Sequence, residues 1–88
     1  MIGQFVISEA GHDKGTLYLV IARKEDMVFL ADGYLKRYDK PKKKKEKHVR
    51  FLNETVDAKL LEKLLSGEKV EDTAIKYALK QYKKATTI

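Results

Sequence analysis

Residues 17–31, LYLVIARKEDMVFLA, hold two apolar runs, Leu17-Tyr18-Leu19-Val20-Ile21-Ala22 and Met27-Val28-Phe29-Leu30-Ala31, on either side of the polar Lys24-Glu25-Asp26. Both runs are rich in β-branched and aromatic side chains, so they read as two strands joined by a turn. Upstream, Gln4-Phe5-Val6-Ile7-Ser8 is a strand of the same kind, and Gly11 to Gly15 supplies turn chemistry before Leu17. Downstream, Asp32-Gly33 leads into Tyr34-Leu35-Lys36-Arg37-Tyr38. Asp-Gly between β-like runs is a strong hairpin signal and predicts a fourth strand at 34–38. Val49-Arg50-Phe51-Leu52 is the fifth. Short strands at this close spacing predict a small β-barrel over residues 1–53, since closure removes exposed edges.

After Asn53 the periodicity changes from about two to about 3.6. Val56, Leu60, Leu61, Leu64 and Leu65 fall on one helical face, and Ser66-Gly67 ends that helix with a residue suited to a left-handed cap. Val70, Ala74, Ile75, Ala78, Leu79 and Tyr82 make a second stripe, with Val70 and Ile75 spaced as a hydrophobic staple across Glu71. Glu71 and Asp72 suit the positive end of this helix, and Lys80, Lys83 and Lys84 its last turns. The expected fold class is therefore α+β: a five-stranded barrel followed, over residues 54–88, by a helical hairpin that packs on the barrel or on itself. Ala85 to Ile88 are expected to fray.

Eighty-eight residues fit one domain with a modest core, which favours such an architecture over a cleft enzyme. The absence of cysteine excludes a disulfide framework and a thiolate metal site, and suits a reducing compartment. The N-terminus lacks a basic segment followed by a continuous apolar one, and nowhere do about 18 apolar residues run together. The expectation is a cytoplasmic protein that neither spans nor docks on a membrane. No phosphate loop, nucleophile elbow or zinc-protease signature is present, so neither an enzymatic activity nor a cofactor is expected.

The charge is concentrated. From Tyr34 to Arg50 there are nine basic residues against two acids, Asp39 and Glu46, while the whole chain carries +6. The remainder is close to neutral. A nearly neutral scaffold with one dense cationic stretch, Lys40-Pro41-Lys42-Lys43-Lys44-Lys45-Glu46-Lys47-His48, presents an electrostatic face suited to a polyanion. Tethered at both ends as a basic loop over residues 39–48, its charges are held at less entropic cost than those of a free tail. The alternative is a solvated charge run with no dedicated partner.

The segment from Gly3 to Gly15, GQFVISEAGHDKG, followed by Val20, resembles the KOW motif of ribosomal and transcription-elongation proteins. Gly11 stands at that family's hallmark glycine and Lys14-Gly15 at its Lys-Gly turn. The order AGHDKG, VFLADG, LKRYDKPKKKKEKH is similar to that of small KOW-domain RNA-binding proteins over residues 1 to 52. The resemblance implies an SH3-like β-barrel whose loops contact RNA. It also implies RNA, ribosomal RNA in particular, as the partner, with ribosomal proteins as further neighbours of a protein that is monomeric off the RNA.

The candidate RNA-binding residues are Gly11, His12, Lys14, Gly15, Tyr34, Lys36, Arg37, Tyr38, Lys40, Lys42, Lys43, Lys44, Lys45, Lys47, His48 and Arg50. Gly11 and Gly15 either shape the turn alone or also let a phosphate approach. If 34–38 is a strand, Tyr34, Lys36 and Tyr38 share a face that would stack an unpaired base and clamp its phosphate; alternatively the tyrosines cover the barrel end. Lysines act as point charges on phosphates, whereas the planar fork of Arg37 can pair with a phosphate or a guanine edge. His12 and His48, without nearby cysteines or paired carboxylates, do not form a metal site. Asp13 and Asp32 are explained by turn geometry. The rival reading is a protein-interaction module that uses the barrel or an apolar groove on the helices.

Overall fold

Five strands, β1 (Gln4–Ser8), β2 (Leu17–Lys24), β3 (Met27–Ala31), β4 (Lys42–Lys45) and β5 (Val49–Thr55), precede two helices, α1 (Ala58–Ser66) and α2 (Asp72–Thr86). The computed structural model describes residues 1–86. The strands make one antiparallel sheet in the order β4-β3-β2-β1-β5, which does not return on itself. Its two edge strands are nonetheless consecutive in the chain, separated only by the 3₁₀ turn Glu46–His48. Four strand spacings of about 4.8 Å would hold the edges of a flat sheet roughly 19 Å apart. The link from Lys45 to Val49 reaches at most about 14 Å when fully extended, and less as a 3₁₀ turn. The sheet therefore curls. The turn is tied at both ends, with Glu46 N–H donating to the Asp26 carbonyl (2.8 Å) and Glu9 N–H donating to the His48 carbonyl (2.9 Å).

Apolar residues line both faces of the sheet, which is why β1, β2 and β3 read as nearly continuous hydrophobic runs. One set, Phe5, Leu19, Ile21 and Ala31, packs with Val56, Leu60, Leu64, Val70, Ile75 and Leu79 from the C-terminal third. Tyr82 adds a stacked contact with Phe5, ring centroids 4.5 Å apart. Burial of each large aliphatic side chain here contributes about 1.5–3 kcal/mol, and this packing holds the helices on the sheet. The alternate residues, Val6, Tyr18, Val20, Val28, Leu30 and Val49, form a second cluster with Phe51. That cluster is built from strand residues alone.

The helices form where the stripes predict. The Asp57 carboxylate accepts from Leu60 N–H (2.9 Å) to cap α1, and Gly67 closes it at φ +80°. Leu65 is exposed rather than part of the buried stripe; α1 meets the sheet through Leu60 and Leu64, which are buried, and Leu61, which packs against the same cluster. Ala85 and Thr86, expected to fray, are the last residues of α2; the same expectation for Thr87 and Ile88 lies outside the described residues. Strand β5 runs two residues past the boundary expected at 53.

The segment from Tyr34 to Tyr38 is a loop, not a strand. Its backbone donors are claimed by side chains: Asp32 Oδ1 accepts from Tyr34 N–H (2.9 Å) and Lys36 N–H (2.8 Å), and Asp72 Oδ1 accepts from Tyr38 N–H (2.7 Å). A segment bonded this way has little left for a ladder. Gly33 lies so close to α2 that an added Cβ would collide with the Asp72 carbonyl oxygen and come within 3.0 Å of Lys76 N, and its φ is +77°. The Asp-Gly signal thus marks a loop docked on a helix. The fourth strand is formed by the lysine run itself, pairing Lys42 with Leu30 and Lys45 with Met27. The expected basic loop over 39–48 is consequently an edge strand and a 3₁₀ turn over most of its length.

Candidate nucleic-acid interface

Four consecutive lysines on a strand must divide between two faces. Lys42 and Lys44 are opposite Leu30 and Val28, both fully buried in the second cluster, and directly opposed residues of an antiparallel pair share a face. Lys43 and Lys45, opposite Phe29 and Met27, take the other face and are exposed. The inward pair faces a desolvation cost that only a partner can offset.

That partner is Asp13. Lys44 Nζ lies 2.8 Å from Asp13 Oδ1 and donates to the Ala10 carbonyl at 2.7 Å, while Lys42 Nζ is 3.7 Å from Asp13 Oδ2. The same carboxylate accepts from Ser8 Oγ and from the Tyr18 hydroxyl, each at 2.9 Å. Burial alone would push the Asp13 carboxyl up. Hydrogen bonds from Lys44, Tyr18 and Ser8, together with the Lys44 charge, outweigh burial and hold it well below its ordinary value of 3.8. The Tyr18 hydroxyl is pushed well above its ordinary 10.0 by burial, by its hydrogen bond to Asp13 and by the negative charges of Asp13 and Asp32. At neutral pH the knot therefore holds Asp13 as a carboxylate and Tyr18 as a neutral phenol.

The knot sets the shape of the turn between β1 and β2. Gly15 N–H donates to the Ser8 carbonyl (2.7 Å) and Thr16 N–H to the Asp13 carbonyl (2.9 Å), leaving His12 and Lys14 exposed at its tip. Gly11 and Gly15 both have positive φ, +85° and +91°, and nothing lies within 4 Å of a Cβ built at Gly15. Backbone conformation, rather than a close approach within the protein, accounts for glycine there.

The expected set of sixteen residues divides accordingly. Lys44 is committed to Asp13 and Lys42 is partly so, which sets these two apart from the other basic residues of that set. Among the described residues, Lys14, Lys40, Lys43, Lys45 and Lys47 are exposed and have no carboxylate within salt-bridge distance. Arg37 is 3.4 Å from Asp72 and Arg50 is 3.5 Å from Glu9; both guanidinium groups are well exposed. Lys36 and His48 are half-buried. Tyr38 does not share a face with Tyr34: it packs against the helix-side core and its hydroxyl donates to the Glu68 carbonyl (3.2 Å), whereas Tyr34 is exposed.

Asp13, Ser8 and Tyr18 were not expected to act together. The available signal was the alternation that puts Ser8 with Val6, and Tyr18 with Val20, on the inner face. Two hydroxyls on an otherwise apolar face require an acceptor. Among the described residues no group of three or more His, Asp or Glu side chains could hold a metal ion, and no helix is long and apolar enough to cross a membrane. Comparison with known protein families and with curated proteins finds no match.

Proposed function

We propose that this chain is an RNA-binding protein of the KOW type that contacts structured RNA through the outward side of β4 and the neighbouring turns. The observation that carries this reading is the split of the lysine run. Two lysines are used internally, while Lys43 and Lys45 on the other face of the strand, Lys40 and Lys47 flanking it in the chain, and Lys14 in the β1–β2 turn are all exposed. Lysines on an edge strand also deter edge-to-edge pairing, but that role does not account for the unpaired cations off the strand. Such point charges match phosphates and carry little sequence information. The curl of the sheet, the 3₁₀ link between its edge strands and the second cluster built from strand residues alone support an SH3-like barrel. The resemblance of the Gly11 to Gly15 turn to the KOW motif carries the reading of ribosomal RNA as the target, and the cysteine-free sequence that of a cytoplasmic setting. The chain acts by binding, without catalysis, and is monomeric off the RNA.

Fluorescence anisotropy with ribosomal RNA fragments at low salt tests this. The expected result is binding that weakens steeply as salt rises; no binding at about 50 mM salt would overturn it. A groove of about 490 Å³ between α1 and α2, lined in part by Phe5, Leu60, Tyr77 and Tyr82, favours a second reading as a protein-interaction module. A partner held there would resist salt.

A further inference from the structure

The loop between β3 and β4 ends in two large apolar side chains facing solvent, Tyr34 at 69% and Leu35 at 75% exposure. A mobile loop would fold such residues back. This one is braced instead: Asp32 holds the backbone on either side of Leu35, Gly33 is seated on α2, and Asp72 binds both Tyr38 N–H and the Arg37 guanidinium. Lys76 Nζ on α2 lies 5.5 Å from the Tyr34 ring centroid. One face of the ring is thereby backed by a cation and the remainder is presented outward.

We propose that Tyr34 and Leu35 form a stacking platform for an unpaired RNA base, with Lys36, Arg37, Lys40 and Lys76 placed to meet the phosphates that flank it; this rests on the RNA-binding reading above. Aromatic side chains held rigidly in solvent stack on bases, whose faces are available only where RNA is single-stranded. The surrounding charge agrees. Asp32 and Asp72 are engaged within the loop, which leaves Asp39 as the exposed acid between Tyr34 and Lys40. A two-residue apolar tip with the Lys76 ammonium against its ring is far smaller than the roughly 800 Å² per partner of a stable protein interface.

The test uses the full chain and two probes: a twelve-nucleotide oligouridylate with a central 2-aminopurine, and an RNA duplex of equal length. Tyr34→Ala is expected to weaken binding of the single strand about tenfold, to relieve the quenching of 2-aminopurine, and to leave duplex binding and the salt slope unchanged. Tyr34→Phe should behave as wild type. The exposed position keeps the thermal transition in place for both variants. Unchanged affinity and quenching in Tyr34→Ala, with Lys43→Gln/Lys45→Gln/Lys47→Gln still weakening the single strand, would overturn the platform alone. Failure of the wild-type chain to bind either RNA would overturn the platform together with the RNA-binding reading.

Discussion

Lys44 Nζ and Asp13 Oδ1 lie 2.8 Å apart with their side chains only 10% and 14% exposed, and this ion pair fastens the edge strand β4 to the turn between β1 and β2. The two segments are 31 residues apart in the chain. Through this bond the sheet's curl, the turn that carries Lys14 and the strand that carries Lys43 and Lys45 become one arrangement.

Removing Asp13 strands a buried ammonium, and such a loss costs more than the pair's net contribution. Asp13→Ala is expected to destabilise the fold by roughly 3 kcal/mol, and Asp13→Ala/Lys44→Met to recover part of the loss. Urea denaturation of the single and double variants measures both. Equal stability of Asp13→Ala and wild type would show that the pair is not coupled to folding.

The same knot sets a pH window. Asp13 titrates lower in the folded chain than in the unfolded one, so its contribution is complete above its ordinary 3.8 and is lost as pH falls through the depressed folded value. Tyr18 titrates higher when folded, so its contribution is complete below 10.0 and fades as pH rises beyond that toward the raised value. Between these limits neither group makes stability depend on pH. Urea midpoints across pH should show wild type losing stability below pH 3.8 more steeply than Asp13→Ala/Lys44→Met, and losing stability above pH 10.0 more steeply than Tyr18→Phe.

Gly33 couples the β3–β4 loop to α2. Gly33→Ala would place a methyl group against the backbone of Asp72 and Lys76 at a φ of +77°, combining steric and conformational strain. A loss of about 2 kcal/mol or more is expected by thermal or urea denaturation. Faster amide exchange at Tyr38, whose N–H is bonded to Asp72, would locate the damage in the docked loop.

Much of this architecture is legible before folding. Strands β1 and β3 begin and end where composition puts them, and the α2 stripe at Ile75 and Leu79 is buried as its period requires. In these elements the burying face and the backbone preference agree. They disagree between residues 32 and 45. Tyr34 to Tyr38 has the side chains of a strand, but the Asp32 and Asp72 carboxylates take its donors, one of them 34 residues away in sequence. Lys42–Lys45 has no apolar side chain, yet it is a strand because β3 offers an unpaired edge and Asp13 offers a countercharge. Neither partner is local, so neither is visible in the segment itself. For the same reason the lysine run reads as one uniform cationic face until the register divides it.

That division is the central claim, and the salt dependence of RNA affinity measures it directly. With about five exposed lysines on phosphates, log affinity against log salt should have a slope of roughly −3 to −5, at about 0.7 to 0.9 per contact. Replacing the outward Lys43, Lys45 and Lys47 with glutamine should reduce its magnitude by about two to three and leave the urea midpoint unchanged. Lys44→Gln should lower the urea midpoint and, at a temperature where the chain stays folded, keep the slope within about half a unit of wild type. An unchanged slope in the triple variant, or a full unit lost in a folded Lys44→Gln, would contradict the assignment of the outward lysines to RNA and the inward ones to the fold.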